Sequence, residues 1–192
     1  RIITTKIEHH AVLYPVLNLQ KEFGIQVDFV TIKPDGSIDV THLAELLSQD
    51  TKTLVSLMHV NNEVGTVLDL QRISTICKQH NALFHSDTVQ SVGKTEIDLK
   101  ELPIDFISAS AHKFHGPKGI GFVFIRKNSG VQPLLLGGEQ ERGMRGGTES
   151  IYLIAGMAKA LEIAYSNLEA ERVEITQLKK YCLEQLYAAF PS

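Results

Sequence analysis

Short runs rich in apolar and β-branched residues alternate with stretches whose apolar side chains recur every three or four positions, along most of this chain. That alternation narrows the folds open to it more than any other feature. A strand followed by a helix and another strand closes into a sheet most simply when the strands are parallel and the helices cross over its faces. The expected fold is α/β: a three-layer αβα sandwich with a mainly parallel sheet. Strands are expected over residues 1–5, 26–32, 53–60, 82–86, 104–109 and 119–126. Helices are expected over 11–23, 41–48, 69–80 and 150–190, the last broken near Ser166-Asn167. Gly24 should end the first helix, Pro34-Asp35-Gly36 should turn the chain, and Thr41 is placed to cap the second helix.

Composition matters here mainly for what it excludes. The formal net charge of −3 gives no basic field for nucleic acid or an anionic membrane. No apolar run approaches the roughly 20 residues that span a bilayer. With only two cysteines, Cys77 and Cys182, a disulfide framework is not expected, and a reducing cytoplasm is the default setting. Arg1–Thr5 reads as a strand already under way, and Phe190-Pro191-Ser192 directly follows a long amphipathic stretch. The chain is therefore expected to be a segment of a longer protein.

The chemically informative residues sit just past the strands. Asn61-Asn62-Glu63 follow one, Asp87-Thr88-Val89-Gln90 another, and Ser110-Ala111-His112-Lys113 a third. In parallel α/β sheets ligands collect at the carboxyl ends of strands, so neighbouring strands would bring these groups into one crevice. A phosphorylated pyridine aldehyde would use such a set. Asp87 would keep the ring nitrogen protonated, and Gln90 and Asn62 offer amides to the ring oxygen. Ser110 and His112 offer donors to phosphate, Lys113 an amine to the aldehyde, and His9 or His10 a ring to stack on the pyridine.

Each residue also has an ordinary reading. Asp87 would serve as a cap for the turn after it, and Gln90 and Ser110 as surface or capping groups. His9 and His10 would simply start a helix. His112-x-x-His115 and His80 with His85 invite a metal, but no third ligand is evident, and none is expected. Gly137-Gly138 lacks the Lys-Ser/Thr of a phosphate-binding P-loop.

The segments Ile7–Val12, Met58–Gly65, His85–Lys94, Ser110–Gly119 and Gly137–Glu149 resemble, in order and spacing, those of the cysteine desulfurases. These are pyridoxal-phosphate enzymes of the class-V aminotransferase type. The resemblance implies the fold type I large domain over residues 1–165, with 166–192 a helix leading toward a C-terminal small domain. It implies pyridoxal 5'-phosphate as cofactor, with catalytic roles for Lys113 and His9. Lys113 would carry the cofactor as a Schiff base and move the substrate α-proton. His9 would stack on the pyridine. Asn62, Asp87, Gln90, Ser110 and His112 would complete the cofactor site, and Thr148 would reach the phosphate of the other subunit in a homodimer. The reaction implied removes sulfur from L-cysteine, leaving L-alanine, and passes it through an enzyme persulfide to an acceptor or scaffold protein, as for iron–sulfur cluster assembly.

The match departs in what it does not include. The family's mobile loop with the catalytic cysteine, its carboxylate-binding arginine and an N-terminal phosphate loop have no counterpart in this sequence. Cys77 and Cys182 are each expected in a helix among apolar neighbours, unsuited to be the nucleophile. This stretch alone is expected to be inactive. A selenocysteine lyase or another class-V enzyme is the rival activity, and a non-catalytic dimerisation or scaffold domain is the rival of another class.

Overall fold

A computed structural model describes residues 1–190. Six strands form one sheet in the order β2-β1-β3-β4-β5-β6. They are β1 (Ile2–Thr4), β2 (Val27–Phe29), β3 (Leu54–Ser56), β4 (Leu83–Asp87), β5 (Phe106–Ser110) and β6 (Gly121–Ile125). The first five run parallel, and β6 returns antiparallel along β5. The α/β architecture with a mainly parallel sheet is the one the alternation required. A short connection between β5 and β6 suffices because an antiparallel neighbour needs no crossover helix.

The strands are shorter than their apolar runs. Beyond β3 the ladder nonetheless continues: Leu57 N–H donates to His85 O at 3.1 Å and His59 N–H to Asp87 O at 2.9 Å. Residues 54–59 therefore stay seated beside β4, which matters for the site below.

Helix α1 (His10–Phe23) ends at Gly24, whose left-handed φ of 65° lets its N–H reach back to Gln20 O. Helix α2 (Val40–Leu47) is capped by Asp39, not by the expected Thr41. The Asp39 carboxylate accepts the Thr41 and His42 amides, and a carboxylate at the cap position outcompetes a hydroxyl two residues on, already inside the helix. Asp69 does the same for α3 (Leu70–Gln79) through the Arg72 amide.

The main core lies between α2, α3 and the sheet. Leu43 and Leu47 of α2 and Leu70, Ile73 and Cys77 of α3 close over Ile3, Val55, Phe84 and Ile107. Each such fully buried side chain contributes about 1.5–3 kcal/mol. A second cluster joins Val92, Ala109, Ala111 and Phe114 to Ala164, with Met157, Ala160 and Leu161 beside it. It packs the start of α4 (Ile151–Ala189) against the segment that follows β5.

Helix α4 is continuous for 39 residues, so the break expected near Ser166-Asn167 is absent. Ser166 Oγ donates to Glu162 O at 2.8 Å, which absorbs the hydroxyl without interrupting the backbone ladder. From Glu169 onward every described residue of α4 is exposed. Val173, Ile175, Leu178 and Cys182, apolar positions of this stretch, are all exposed: Ile175 is 63% exposed and Leu178 60%. An amphipathic pattern records which face wants burial, and burial itself requires a partner surface. Pro191 and Ser192, the end of the expected 166–192 helix, lie outside the described residues.

Candidate active site

Four adjacent parallel strands, β1, β3, β4 and β5, end on the same edge of the sheet. His9 follows β1, Asn62 follows β3, Asp87 and Gln90 follow β4, and Ser110, His112 and Lys113 follow β5. The convergence expected from the sequence depended on those strands being neighbours, and they are. Asp87 pairs in register with Ser108, so Ser110 lies on the same face of the sheet, two residues further along the adjacent strand.

Asp87 is buried, and its Oδ1 accepts the Val89 amide at 2.9 Å. This is the capping role weighed above, and it occupies one oxygen only. The turn bond aims the carboxylate while Oδ2 remains for another donor. Ser110 and His112 lie at the start of a 3-10 turn, Ala111–Phe114, with Ser110 Oγ 2.8 Å from His112 Nδ1. Phe114 is buried beneath this turn and fixes it, while Lys113 between them is partly buried. His115 closes the turn with φ 65° and Gly116 N–H returns to Ala111 O at 2.8 Å.

His9 and His10 differ in their packing. The His10 ring stacks on Tyr14 at 4.5 Å with an interplanar angle of 7°, so it is engaged on α1. His9 caps α1 instead, its Nδ1 accepting the Ala11 amide at 3.1 Å, and its ring is exposed at the strand ends. That bond makes Nδ1 the acceptor and leaves any ring proton on Nε2. Asn62 is exposed, its amide donating to Glu63 at 2.8 Å. Gln90 is partly buried and holds none of the side-chain hydrogen bonds among the described residues.

Thr148 is not joined to this cluster by any hydrogen bond among the described residues. It is exposed in the loop between β6 and α4. In that loop Gly146 N–H donates to Leu135 O at 2.8 Å, and Glu141 and Arg142 adopt left-handed backbone with φ of 49° and 58°. Such strain in two consecutive non-glycine residues persists only where surrounding structure enforces it. Arg145 turns back onto Gly146 O at 2.8 Å.

Several polar residues near the site had no part in the coenzyme reading of the sequence. Ser56, His85 and Ser108 form a row across three strands below Asp87: Ser56 Oγ is 2.8 Å from His85 Nδ1, and His85 Nε2 is 3.4 Å from Ser108 Oγ. Burial lowers the His85 pKa below its ordinary value, partly offset by Asp87, so the ring is neutral at neutral pH. Burial likewise lowers the pKa of His59. Glu8 and Asn61 tie the β1–α1 segment to β3. Their signal was present in sequence, as an acid and an amide inside strand-end segments, but nothing local revealed what they hold.

No group of His, Cys, Asp or Glu able to hold a metal occurs among the described residues. No helix among the described residues is long and apolar enough to cross a membrane. Cys77 is buried, and desolvation, with a smaller push from Asp105, raises its pKa to about 12. Cys182 is exposed on α4.

With this geometry in place, the chain's likeness to known proteins becomes specific. The family model for aminotransferase class-V matches residues 1–190. The chain belongs to the class-V aminotransferase family. Among similar proteins of this family, the cysteine desulfurase IscS of Dictyoglomus turgidum is 42% identical over 185 residues, 96% of this chain and 46% of that protein. The cysteine desulfurase IscS of Buchnera aphidicola is 44% identical over 180 residues, 93% of this chain and 44% of that protein. Among solved structures, a NifS-like protein superposes with a TM-score of 0.92 at 41% identity, covering 97% of this chain and 51% of its own. DndA from Streptomyces lividans gives 0.88 at 38% identity, covering 96% and 53%. The chain thus spans about half the length of the relatives it matches.

Class-V aminotransferases depend on pyridoxal phosphate. The donor set here fits that group. Asp87 is a buried carboxylate with one oxygen uncommitted, Ser110 and His112 are adjacent donors for an anion, and Lys113 follows them directly.

Proposed function

We propose that this chain is the coenzyme-binding part of a cysteine desulfurase. The observation that carries the reading is the strand-end cluster itself: Asp87, Ser110, His112 and Lys113 lie on adjacent strands at one sheet edge, in a fold that superposes on a NifS-like protein. The likeness to a structure titled SspA in complex with cysteine, 40% identical over 84% of this chain, supports L-cysteine as the substrate.

Within this reading, each residue has a role set by its chemistry. Ser110 and His112 anchor the phosphate through charge-assisted hydrogen bonds. Asp87 would keep a proton on the pyridine nitrogen, and Gln90 and Asn62 would offer amides toward the ring oxygen and the substrate. His9 covers the ring. Lys113 would hold the coenzyme through its aldehyde, and its amine is the group placed to take the proton from the substrate α-carbon. When bound, pyridoxal phosphate supplies the electron sink for the charge left on that carbon.

Sulfur transfer from L-cysteine to an enzyme thiol gives L-alanine and a persulfide, so atoms balance without another reactant. Neither cysteine of this chain is assigned as that thiol: Cys77 is buried with its proton held to about pH 12, and Cys182 lies on the exposed end of α4. On this reading the thiol would be supplied from outside these 192 residues, with 1–165 as the proposed large domain, from which α4 continues to Ala189. A homodimer with Thr148 facing the other subunit's phosphate is part of the same proposal, supported by its exposure in a strained loop. A sulfur-acceptor protein and a cytoplasmic setting complete it, in keeping with two unpaired cysteines.

The test is to mix the protein with pyridoxal phosphate, reduce with borohydride and map the modified peptide, with Lys113→Ala as control. A pyridoxyl group on Lys113, absent in the variant, is the expected result. Labelling scattered over surface lysines, without coenzyme absorbance, would overturn the reading and favour a non-catalytic domain.

A further inference from the structure

His9 is carried on a short segment between β1 and α1, and what fixes that segment is a carboxyl group with no assigned task. Glu8 is 5% exposed. Its Oε1 accepts the Met58 amide at 3.1 Å, across 50 residues of sequence, and the Thr5 hydroxyl at 3.0 Å. One residue earlier, Ile7 O accepts the Asn61 side-chain amide at 2.8 Å. Asn61 Oδ1 in turn accepts the Glu63 and Val64 amides, at 2.9 Å each, forming the turn that presents Asn62. Met58 lies next to His59, whose backbone is bonded to Asp87 O. A continuous set of hydrogen bonds therefore runs from the segment bearing His9, through β3, to the strand bearing Asp87.

Burying an acid at this place is costly. Oε2 of Glu8 is buried without a partner among the described residues, and desolvation raises the pKa to about 7. An apolar residue would avoid that cost but would leave the Met58 amide orphaned and the loop untied. A carboxyl group retained in such surroundings is one whose geometry is needed.

Building on the coenzyme reading above, we propose that Glu8 is a positioning residue for His9. Its side chain bolts the β1–α1 segment to the carboxyl end of β3, setting the height of the His9 ring over the floor formed around Asp87. What the site requires of it is an acceptor of the right length, not a negative charge. Gln preserves that acceptor, Asp keeps the charge but is one methylene too short to hold Met58 and Thr5 together, and Ala removes both.

The experiment compares Glu8→Gln, Glu8→Asp and Glu8→Ala in the full-length chain loaded with pyridoxal phosphate. Induced circular dichroism in the coenzyme band reports how rigidly the ring is held, fluorescence titration gives the coenzyme Kd, and far-ultraviolet dichroism reports folding. Expected are a wild-type-like band for E8Q, and for E8D a band reduced by about half or more with Kd raised about tenfold, since a displacement near 1 Å is enough for such losses. E8A should be weaker still, and if it does not fold, E8Q and E8D decide. A band kept by E8D and lost by E8Q would overturn the proposal in favour of a charge effect. Folded E8D with a wild-type band and Kd would overturn it as well, reducing Glu8 to a part of the scaffold. A wild-type chain without any coenzyme band would instead overturn the coenzyme reading itself, and this proposal with it.

Discussion

Ser110 Oγ lies 2.8 Å from Nδ1 of His112, across the first step of the turn that presents Lys113. The pair is held by backbone already ordered in β5 and by Phe114 beneath it, so the two donors are set before any anion arrives. Hydrogen bonds to a charged group are worth about 1.5–3 kcal/mol each. Ser110→Ala and His112→Ala should therefore each weaken coenzyme binding about 10- to 100-fold, read by fluorescence titration, with little change in thermal stability because both side chains sit at the surface of the turn.

Asp87 gives the turn one oxygen, accepting the Val89 amide at Oδ1, and leaves Oδ2 outside that bond. In Asp87→Asn, the side-chain oxygen still accepts the Val89 amide, so the fold should hold with Tm within a few degrees. Under the coenzyme reading proposed above, the ring nitrogen would lose its carboxylate, and L-cysteine turnover, measured in the longer protein that carries the nucleophile, should drop about 100-fold or more, the scale seen when a preorganised electrostatic partner is removed. Asp87→Ala should lose turnover and stability together. Equal Tm values for the two variants would show that the Val89 bond contributes nothing.

The raised pKa of Glu8, about 7 against 4.5 when unfolded, makes a sign-definite prediction. Between those values the native state binds more protons than the unfolded state, so this group's contribution to stability falls as pH rises from about 4.5 to 7 and is level above. The full range corresponds to about 3 kcal/mol. His59 and His85, with pKa values lowered by burial, act the other way: their contribution is lost as pH falls below the ordinary histidine value of 6.5. The difference in unfolding free energy between Glu8→Gln and wild type, measured from pH 5 to 8, isolates the first effect. It should grow in the variant's favour with pH and level off near 7.

Gly93 connects the fold to the site. It has φ 77°, and a Cβ there would meet Phe114 Cβ at 2.8 Å and Ala164 Cβ at 3.2 Å. Gly93→Ala combines left-handed strain with overpacking and should cost about 2–4 kcal/mol in denaturant unfolding. Because the atom displaced belongs to Phe114, coenzyme affinity should fall in the same variant even under conditions where it is fully folded.

The composition of the strand ends was legible in the sequence. The strand-end placement of Asp87, Gln90, Ser110, His112 and Lys113 could be anticipated because each sits immediately past an apolar run, and strand ends are marked by residues a few positions apart. Gly24 as a helix stop was legible for the same reason, since a left-handed cap is a demand on one residue. The Asp39 cap and the unbroken α4 were misread because competition between nearby polar groups turns on geometry: Asp39 reaches two amides, and Ser166 finds Glu162 O.

What the sequence by itself determined was the alternation of elements and the chemical content of the strand ends, because both are written in local spacing. The tertiary structure decided which strands are neighbours, that His10 is taken up by Tyr14 while His9 is left at the strand ends, and that Glu8 reaches Met58. Those outcomes join residues as far as 52 positions apart, as in the pairing of Ile2 with Leu54. The free energy of such a contact depends on the whole chain being folded around it, and no local pattern of side chains carries that information.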